Sequence, residues 1–234
     1  MTDRPILFSG PMVRALLDGR KTQTRRIVKP QPFEIDGEWW IDARKNEACR
    51  LDDYVAHRIG CPPYHAGDRL WVKESGLHKR GPLFELFIHD ATPDRYWASP
   101  DHRGERLTPE ARGKRGAGIG PALTRDQHKA MGFKARPSIH MPRWASRLTL
   151  EITDVRVERL QDITWDDAIA EGIEPSPDDP GLWRRYGARA WDDQGVWMED
   201  PCGSYETLWS DINGPDSWAA NPWVWVVTFD VERP

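Results

Sequence analysis

Hydrophobic and polar positions along the chain fall into short patterned segments separated by irregular ones. Ile6-Leu7-Phe8 reads as a strand closed by Ser9-Gly10-Pro11. A helix is predicted from residue 11 to about residue 18, because Pro suits a first helical turn and Met12, Ala15 and Leu16 fall at helical spacing. Gly19 can end it in a left-handed cap, and residues 22–28 then read as a strand. Leu70 and Val72 alternate in a further strand over residues 69–74, after the Gly67-Asp68 turn. Leu148, Leu150 and Ile152 share one parity, while Val155 and Val157 take the other. That phase slip at Thr153-Asp154 predicts a β-bulge, a usual way to bend a strand around a small barrel. Thr164, with Asp167 three residues on, opens a helix that Gly172 can end, and residues 204–212 read as another short helix. The apolar run Trp223-Val-Trp-Val-Val-Thr-Phe229 predicts a strand buried on both faces.

Strands interrupted by a few short helices, without βαβ alternation, predict an α+β fold built on a small β-barrel. A single domain is expected, with insertions at about 31–65, 76–138 and 174–202 where periodicity fails. Within the second, the glycines of residues 113–120 make any one conformation costly in entropy, so residues 108–121 are expected to be mobile.

The 234 residues carry a net charge of −4, yet residues 11–30 sum to +5 and residues 102–136 to +6. Local basic zones on an acidic chain suggest an anion site, or else a solvated charged face. Thirteen tryptophans exceed what a small core demands, and some can serve as stacking platforms for bases. No apolar run approaches a membrane span, the first residues carry no signal-peptide pattern, and three scattered cysteines suit a reducing cytoplasm. A cytoplasmic protein with no membrane partner is the expectation. Cys49, His57, Cys61 and His65 are spaced too widely for the usual zinc pairs, although His57, Cys61 and His65 can supply three ligands on a suitable loop. No phosphate loop, dinucleotide fingerprint or nucleophile elbow is present, and neither metal nor cofactor is expected.

The stretch Leu16-Leu-Asp-Gly-Arg-Lys-Thr-Gln-Thr24 resembles the opening of the ASCH family: a helix, then Gly-x-Lys-Thr-x-Thr, then a strand. Residues 66–72 resemble that family's Gly-Asp strand, residues 160–172 its strand-to-helix segment, and residues 221–227 its closing strand. The long insertions and the phrase Arg136-Pro-Ser-Ile-His-Met-Pro-Arg-Trp144 resemble a larger version found in bacteriophage and prophage proteins. The resemblance covers roughly half the chain. It implies a PUA-like fold and a nucleoside or single-stranded RNA as partner. A small branch of the family deacetylates N4-acetylcytidine, and carried over by motif its lysine, threonine and glutamate fall on Lys21, Thr24 and Glu171. That branch is about half as long and lacks these insertions.

Amide hydrolysis needs an activated nucleophile, a proton carrier and stabilisation of the oxyanion. In one version a neutral Lys21, its charge disfavoured by Arg20, Arg25 and Arg26, takes the proton of a nucleophilic Thr24, and Glu171 serves the departing amine. In another, a charged Lys21 faces the oxyanion and Glu171 activates water. Lys21 and Thr24 point to opposite faces of a regular strand, so a shared cleft requires Lys21 to lie in the turn after Gly19. Arg25, Arg26, Trp71, Ser138, His140, Arg143 and Trp144 are candidates for substrate binding. The leading expectation is an amidohydrolase acting on N4-acetylcytidine. The alternatives are a non-catalytic RNA-binding or modified-base-reading module and a ribonuclease.

Overall fold

A computed structural model describes residues 3–43, 47–57, 63–80, 85–90, 95–98, 125–187 and 196–232. The glycine-rich segment expected to be mobile and Cys61 lie outside the described residues.

In chain order the elements are β1 (Asp3–Leu7), α1 (Gly10–Leu17), β2 (Gln23–Ile27), β3 (Phe33–Ile35), β4 (Glu38–Ala43), β5 (Glu47–Arg50), α2 (Leu51–His57) and β6 (Arg69–Lys73). There follow β7 (Gly76–Arg80), β8 (Glu85–His89), β9 (Arg95–Ala98), α3 (Arg125–Ala130), β10 (Lys134–Arg136) and β11 (Thr149–Arg159). The last are α4 (Trp165–Ala170), β12 (Trp183–Arg184), β13 (Trp197–Met198), α5 (Pro201–Asn213) and β14 (Trp223–Glu232). The fold is mixed α+β. No helix among the described residues is long and apolar enough to cross a membrane.

The chain forms two compact units. Among the described residues, those within 15–68 and 151–231 make one, and those within 3–14 and 69–150, with Glu232, make the other. In the first unit, β14 lies between β11 and β2. Strands β2 and β14 pair antiparallel with Thr24 opposite Val227 and Arg26 opposite Trp225. Val224, Trp225, Val226, Val227 and Phe229 are all buried, as the unbroken apolar run predicts. The phase slip on β11 appears as two adjacent exposed residues, Thr153 and Asp154, inside one continuous strand.

No sheet closes into the predicted barrel among the described residues. Strand β2 ends its sheet, and a helix end takes the place of a further strand there: Thr22 N donates to Ala170 O (2.9 Å) while Thr22 O accepts from Phe229 N (2.9 Å). The slip at Thr153-Asp154 leaves β11 one continuous strand, and no further strand pairs with the outer edge of β2 among the described residues.

The segment read as irregular over residues 31–65 carries a three-stranded antiparallel sheet, β3-β4-β5, followed by α2. Its first hairpin turns on Asp36 (φ 50°) and Gly37 (φ 80°), a two-residue connection with both residues left-handed. Strands of three to six residues show too few alternations for periodicity to register. The segment 174–202 likewise holds the two-stranded β12-β13 ribbon.

The second unit pairs β1 with β6 in parallel, from Asp3 opposite Arg69 to Leu7 opposite Lys73. It also contains the antiparallel sheet β10-β7-β8-β9. Gly76 is required on β7, because a Cβ there would lie 2.3 Å from Ile88 O and 2.5 Å from the Phe87 ring. Glu74 is buried in this unit with both carboxylate oxygens on the Arg147 guanidinium (2.8 and 2.9 Å) and His89 Nδ1 2.9 Å from Oε1.

Candidate functional site

Lys21 lies in the segment between α1 and β2, as a shared cleft requires. Gly19 (φ 77°) ends α1, and the backbone N–H groups of Arg20 and Lys21 both donate to Ala15 O. The chain then enters β2 with its side chains alternating. Gln23 and Arg25 share one face, and Thr24 and Arg26 take the other.

Helix α4 supplies the second wall. Thr164 caps it, accepting from Asp167 N (3.2 Å), which leaves the Asp167 carboxylate free to turn toward β2. Gly172 (φ 83°) ends the helix, and a Cβ there would meet Lys21 Cβ at 2.7 Å and Ala15 Cβ at 3.0 Å. Four successive carbonyls at this helix end are taken by three successive residues. Ala170 O accepts from Thr22 N (2.9 Å), Glu171 O from Lys21 Nζ (2.7 Å), and Gly172 O and Ile173 O from Arg20 Nη1 (3.1 and 3.2 Å). Cations suit a helix C-terminus, where carbonyl dipoles converge.

An ionic network runs outward from this junction. Lys21 Nζ donates to Glu171 Oε2 at 2.8 Å, and both residues are buried at 1% and 3% exposure. Arg25 Nη1 reaches Glu171 Oε1 (3.2 Å), while its Nη2 reaches Glu158 Oε1 (2.6 Å) and Asp167 Oδ2 (3.1 Å). Gln23 bridges Arg25 and Asp167 (2.6 and 3.0 Å). Arg156 closes the outer end, donating to Glu158 Oε2 (2.9 Å) and Asp167 Oδ2 (2.8 Å). Three cations thus face three carboxylates, which is how a protein keeps so many charges away from water. Tyr205, on α5, lies under the Arg25 guanidinium at 5.9 Å from its ring centre.

Burial dominates the titration of Lys21: desolvation lowers its pKa, the Glu171 carboxylate opposes that, and the charges of Arg26 and Arg25 add to the lowering. The like-charge crowding visible in the sequence is therefore the lesser cause. For Asp167, burial resists ionisation. The hydrogen bonds from Gln23 and Arg156 and the charges of Arg25 and Arg156 outweigh it, holding the carboxyl at about 2. Burial, then the Glu171 charge, raises the Tyr205 phenol well above its ordinary range and keeps it protonated.

Of the three catalytic candidates, Lys21 and Glu171 meet directly. Thr24 is buried in β2 opposite Val227, on the face away from Gln23 and Arg25, and the network passes its hydroxyl by. Arg25 sits at the centre of the network, whereas Arg26 is half-buried on the Thr24 face.

Trp71, Ser138, His140, Arg143 and Trp144 belong to the second unit. The Arg143 guanidinium and Lys73 Nζ each lie 5.3 Å from the Trp71 ring centre, and Arg143 also pairs with Asp3 (3.0 Å). Trp144 packs on Phe87, Met141 and Ala145, a core role. Ser138 and His140 fall on a short 3-10 turn with His140 exposed. Among the possible metal ligands, His65 Nδ1 lies 3.4 Å from Asp68 Oδ2, and no group of three or more candidate ligands gathers among the described residues.

The sequence reading missed Gln23, Arg156, Glu158, Asp167 and Tyr205. A partial signal existed in Arg156 and Glu158, both polar and at one parity, on a strand whose other face carries Val155 and Val157. The reading also missed a cleft of about 580 Å³ in the first unit, to which Arg156 contributes. Asp36-Gly37, a strong two-residue hairpin signal, marks the element that walls it.

Compared with protein-family models, with characterised proteins and with solved structures, the chain finds no significant match.

Proposed function

We propose that the chain is an ASCH-type, PUA-like protein whose Lys21–Glu171 pair hydrolyses an acylated nucleobase or nucleoside, most concretely N4-acetylcytidine to cytidine and acetate. The observation that carries this reading is the buried lysine held 2.8 Å from a buried carboxylate, with its pKa lowered by desolvation. Such perturbed pairs concentrate at sites of proton transfer. The position of Thr24 on the opposite face favours direct attack by water over a covalent threonine intermediate.

In this mechanism Glu171 takes a proton from the water that adds to the acetyl carbonyl. Lys21, made a stronger acid by burial, donates its proton to the departing N4 as the C–N bond breaks. The proton on Glu171 then returns to Lys21 along their hydrogen bond. Arg25 fixes the other carboxylate oxygen and so the orientation of the base. Incubation with N4-acetylcytidine, analysed by mass, should release cytidine and acetate, and Glu171→Gln should abolish release. Equal rates for parent and Glu171→Gln would reject the mechanism, and no acetate from the parent would reject the activity.

A second reading, binding of a nucleoside or single-stranded RNA without turnover, is favoured by one observation. Residues 20–22 are all engaged at the end of α4, a structural task that needs no chemistry. Salt-sensitive RNA binding without acetate release is its signature. Shortening of unmodified RNA in the same incubation would point instead to a ribonuclease.

A further inference from the structure

The cleft in the first unit lies between the β3–β4 hairpin, the start of α2, the middle of β11 and the first residue of β14. At about 580 Å³ it falls within the range of small-ligand sites. Its lining combines three kinds of group. Trp39 and Trp223 meet edge to face with ring centres 5.0 Å apart. Arg159 lies 4.8 Å from both ring centres and donates to Asn221 O (3.1 Å), so the two rings are set in place before any ligand arrives.

Arg50 and Arg156 bring guanidinium groups with N–H donors to spare. Arg50 gives its Nη2 to Glu38, and Arg156 gives Nε and Nη2 to Glu158 and Asp167, out of five donors each. Asp52, exposed in the first turn of α2, adds a carboxylate that can accept from hydroxyl groups. The charges within the lining balance, with Arg50 and Arg156 against Glu38 and Asp52. A bare anion therefore gains little there. A ligand that combines a flat ring, neighbouring hydroxyls and a single acceptor group satisfies all three kinds of group together.

We propose that this cleft binds a nucleotide unit, with the base packed against the tryptophan pair, the ribose hydroxyls on Asp52 and the phosphate at Arg50 and Arg156. Base–aromatic stacking and carboxylate recognition of a ribose are established means of holding such a unit. The same chemistry is offered by a free mononucleotide and by one residue of single-stranded RNA. The assignment does not depend on amide hydrolysis at Lys21 and Glu171.

Isothermal titration calorimetry of the full chain with adenosine 5′-monophosphate, a five-residue oligoadenylate and inorganic phosphate tests it. The parent should bind both nucleotide probes and not phosphate. Trp39→Ala should weaken nucleotide binding about ten-fold or more, the scale of one lost stacking platform. Asp52→Asn and Arg50→Gln, at exposed positions that leave the fold intact by circular dichroism, should each weaken it several-fold and carry the test if Trp39→Ala does not fold. Loss of nucleotide binding in Trp39→Ala or Asp52→Asn with hydrolysis of N4-acetylcytidine retained separates this cleft from the Lys21–Glu171 site. Tighter binding of the oligomer supports an RNA ligand, and equal affinity supports the free nucleotide. Absence of binding by either nucleotide at millimolar concentration, phosphate binding as tightly as the nucleotides, or parent-like affinity in the folded variants would overturn the proposal.

Discussion

Lys21 illustrates how far one residue's role depends on what encloses it. In the sequence it is a turn lysine beside three arginines, and removing it should leave the fold untouched. In the structure it is 1% exposed and holds both the carbonyl and the carboxylate of Glu171. Lys21→Met should therefore leave the Glu171 carbonyl and Oε2 without their buried donor, with Arg25 still on Oε1, and destabilise the chain by about 3 kcal/mol, measured by denaturant unfolding. The double variant Lys21→Met/Glu171→Gln should recover part of that loss, since no unpaired charge remains. The lowered pKa sets a pH dependence as well. Between its folded value and the ordinary 10.5, the unfolded chain binds more protons at this site. Parent stability relative to Lys21→Met should thus rise with pH through that window. Carbon-13 titration of the labelled lysine side chains should place one amine below the others.

Among the elements, the end of α4 was legible and its destination was not. Thr164, Asp167 and Gly172 announce a capped helix and its stop. Nothing local announces that the carboxylate of Asp167 crosses to Arg25, because that contact joins residues 142 positions apart. The same limit explains the missing barrel: a phase slip reports a bend, while closure depends on what lies at the edge of β2. Strands β3 to β5 were hidden by their brevity, although Asp36-Gly37 gave a readable turn. Gly172→Ala tests the junction itself. It must hold φ at 83° and press a Cβ to 2.7 Å from that of Lys21, so a loss of about 2–4 kcal/mol is expected in thermal unfolding. Gly172→Asn, which tolerates the left-handed region but not the contact, should rescue little of it.

For the whole molecule, each unit carries a depressed carboxylate and the two respond to acid in the same direction. In the first unit Asp167 sits at about 2 instead of 3.8. In the second, burial of Glu74 is outweighed by hydrogen bonds from His89 and Arg147 and by their charges, which lowers its pKa from 4.5. A carboxyl with a lowered folded pKa stabilises above its ordinary value and loses that contribution as pH falls through the folded one. Stability should hold down to about pH 4.5 and decline from there toward pH 2. Asp167 accounts for about 1–2 kcal/mol of this after allowance for its partly solvated position. Urea unfolding across that range should show the slope, and Asp167→Asn should flatten it.

The junction of residues 20–22 with residues 170–173 and 229 also sets a schedule for biogenesis. At ribosomal speeds of about 5–20 residues per second, roughly 10–40 s separate the emergence of Lys21 from that of the strand to which its neighbours pair. For most of that interval Lys21 and Arg25 lack their carboxylates, and throughout it β2 lacks β14, so both cations begin hydrated. The ionic network can assemble only after Glu158, Asp167 and Glu171 have been made. Its loop closure, spanning 150 positions, makes this a slow-folding topology whose site matures long after Lys21 itself is made.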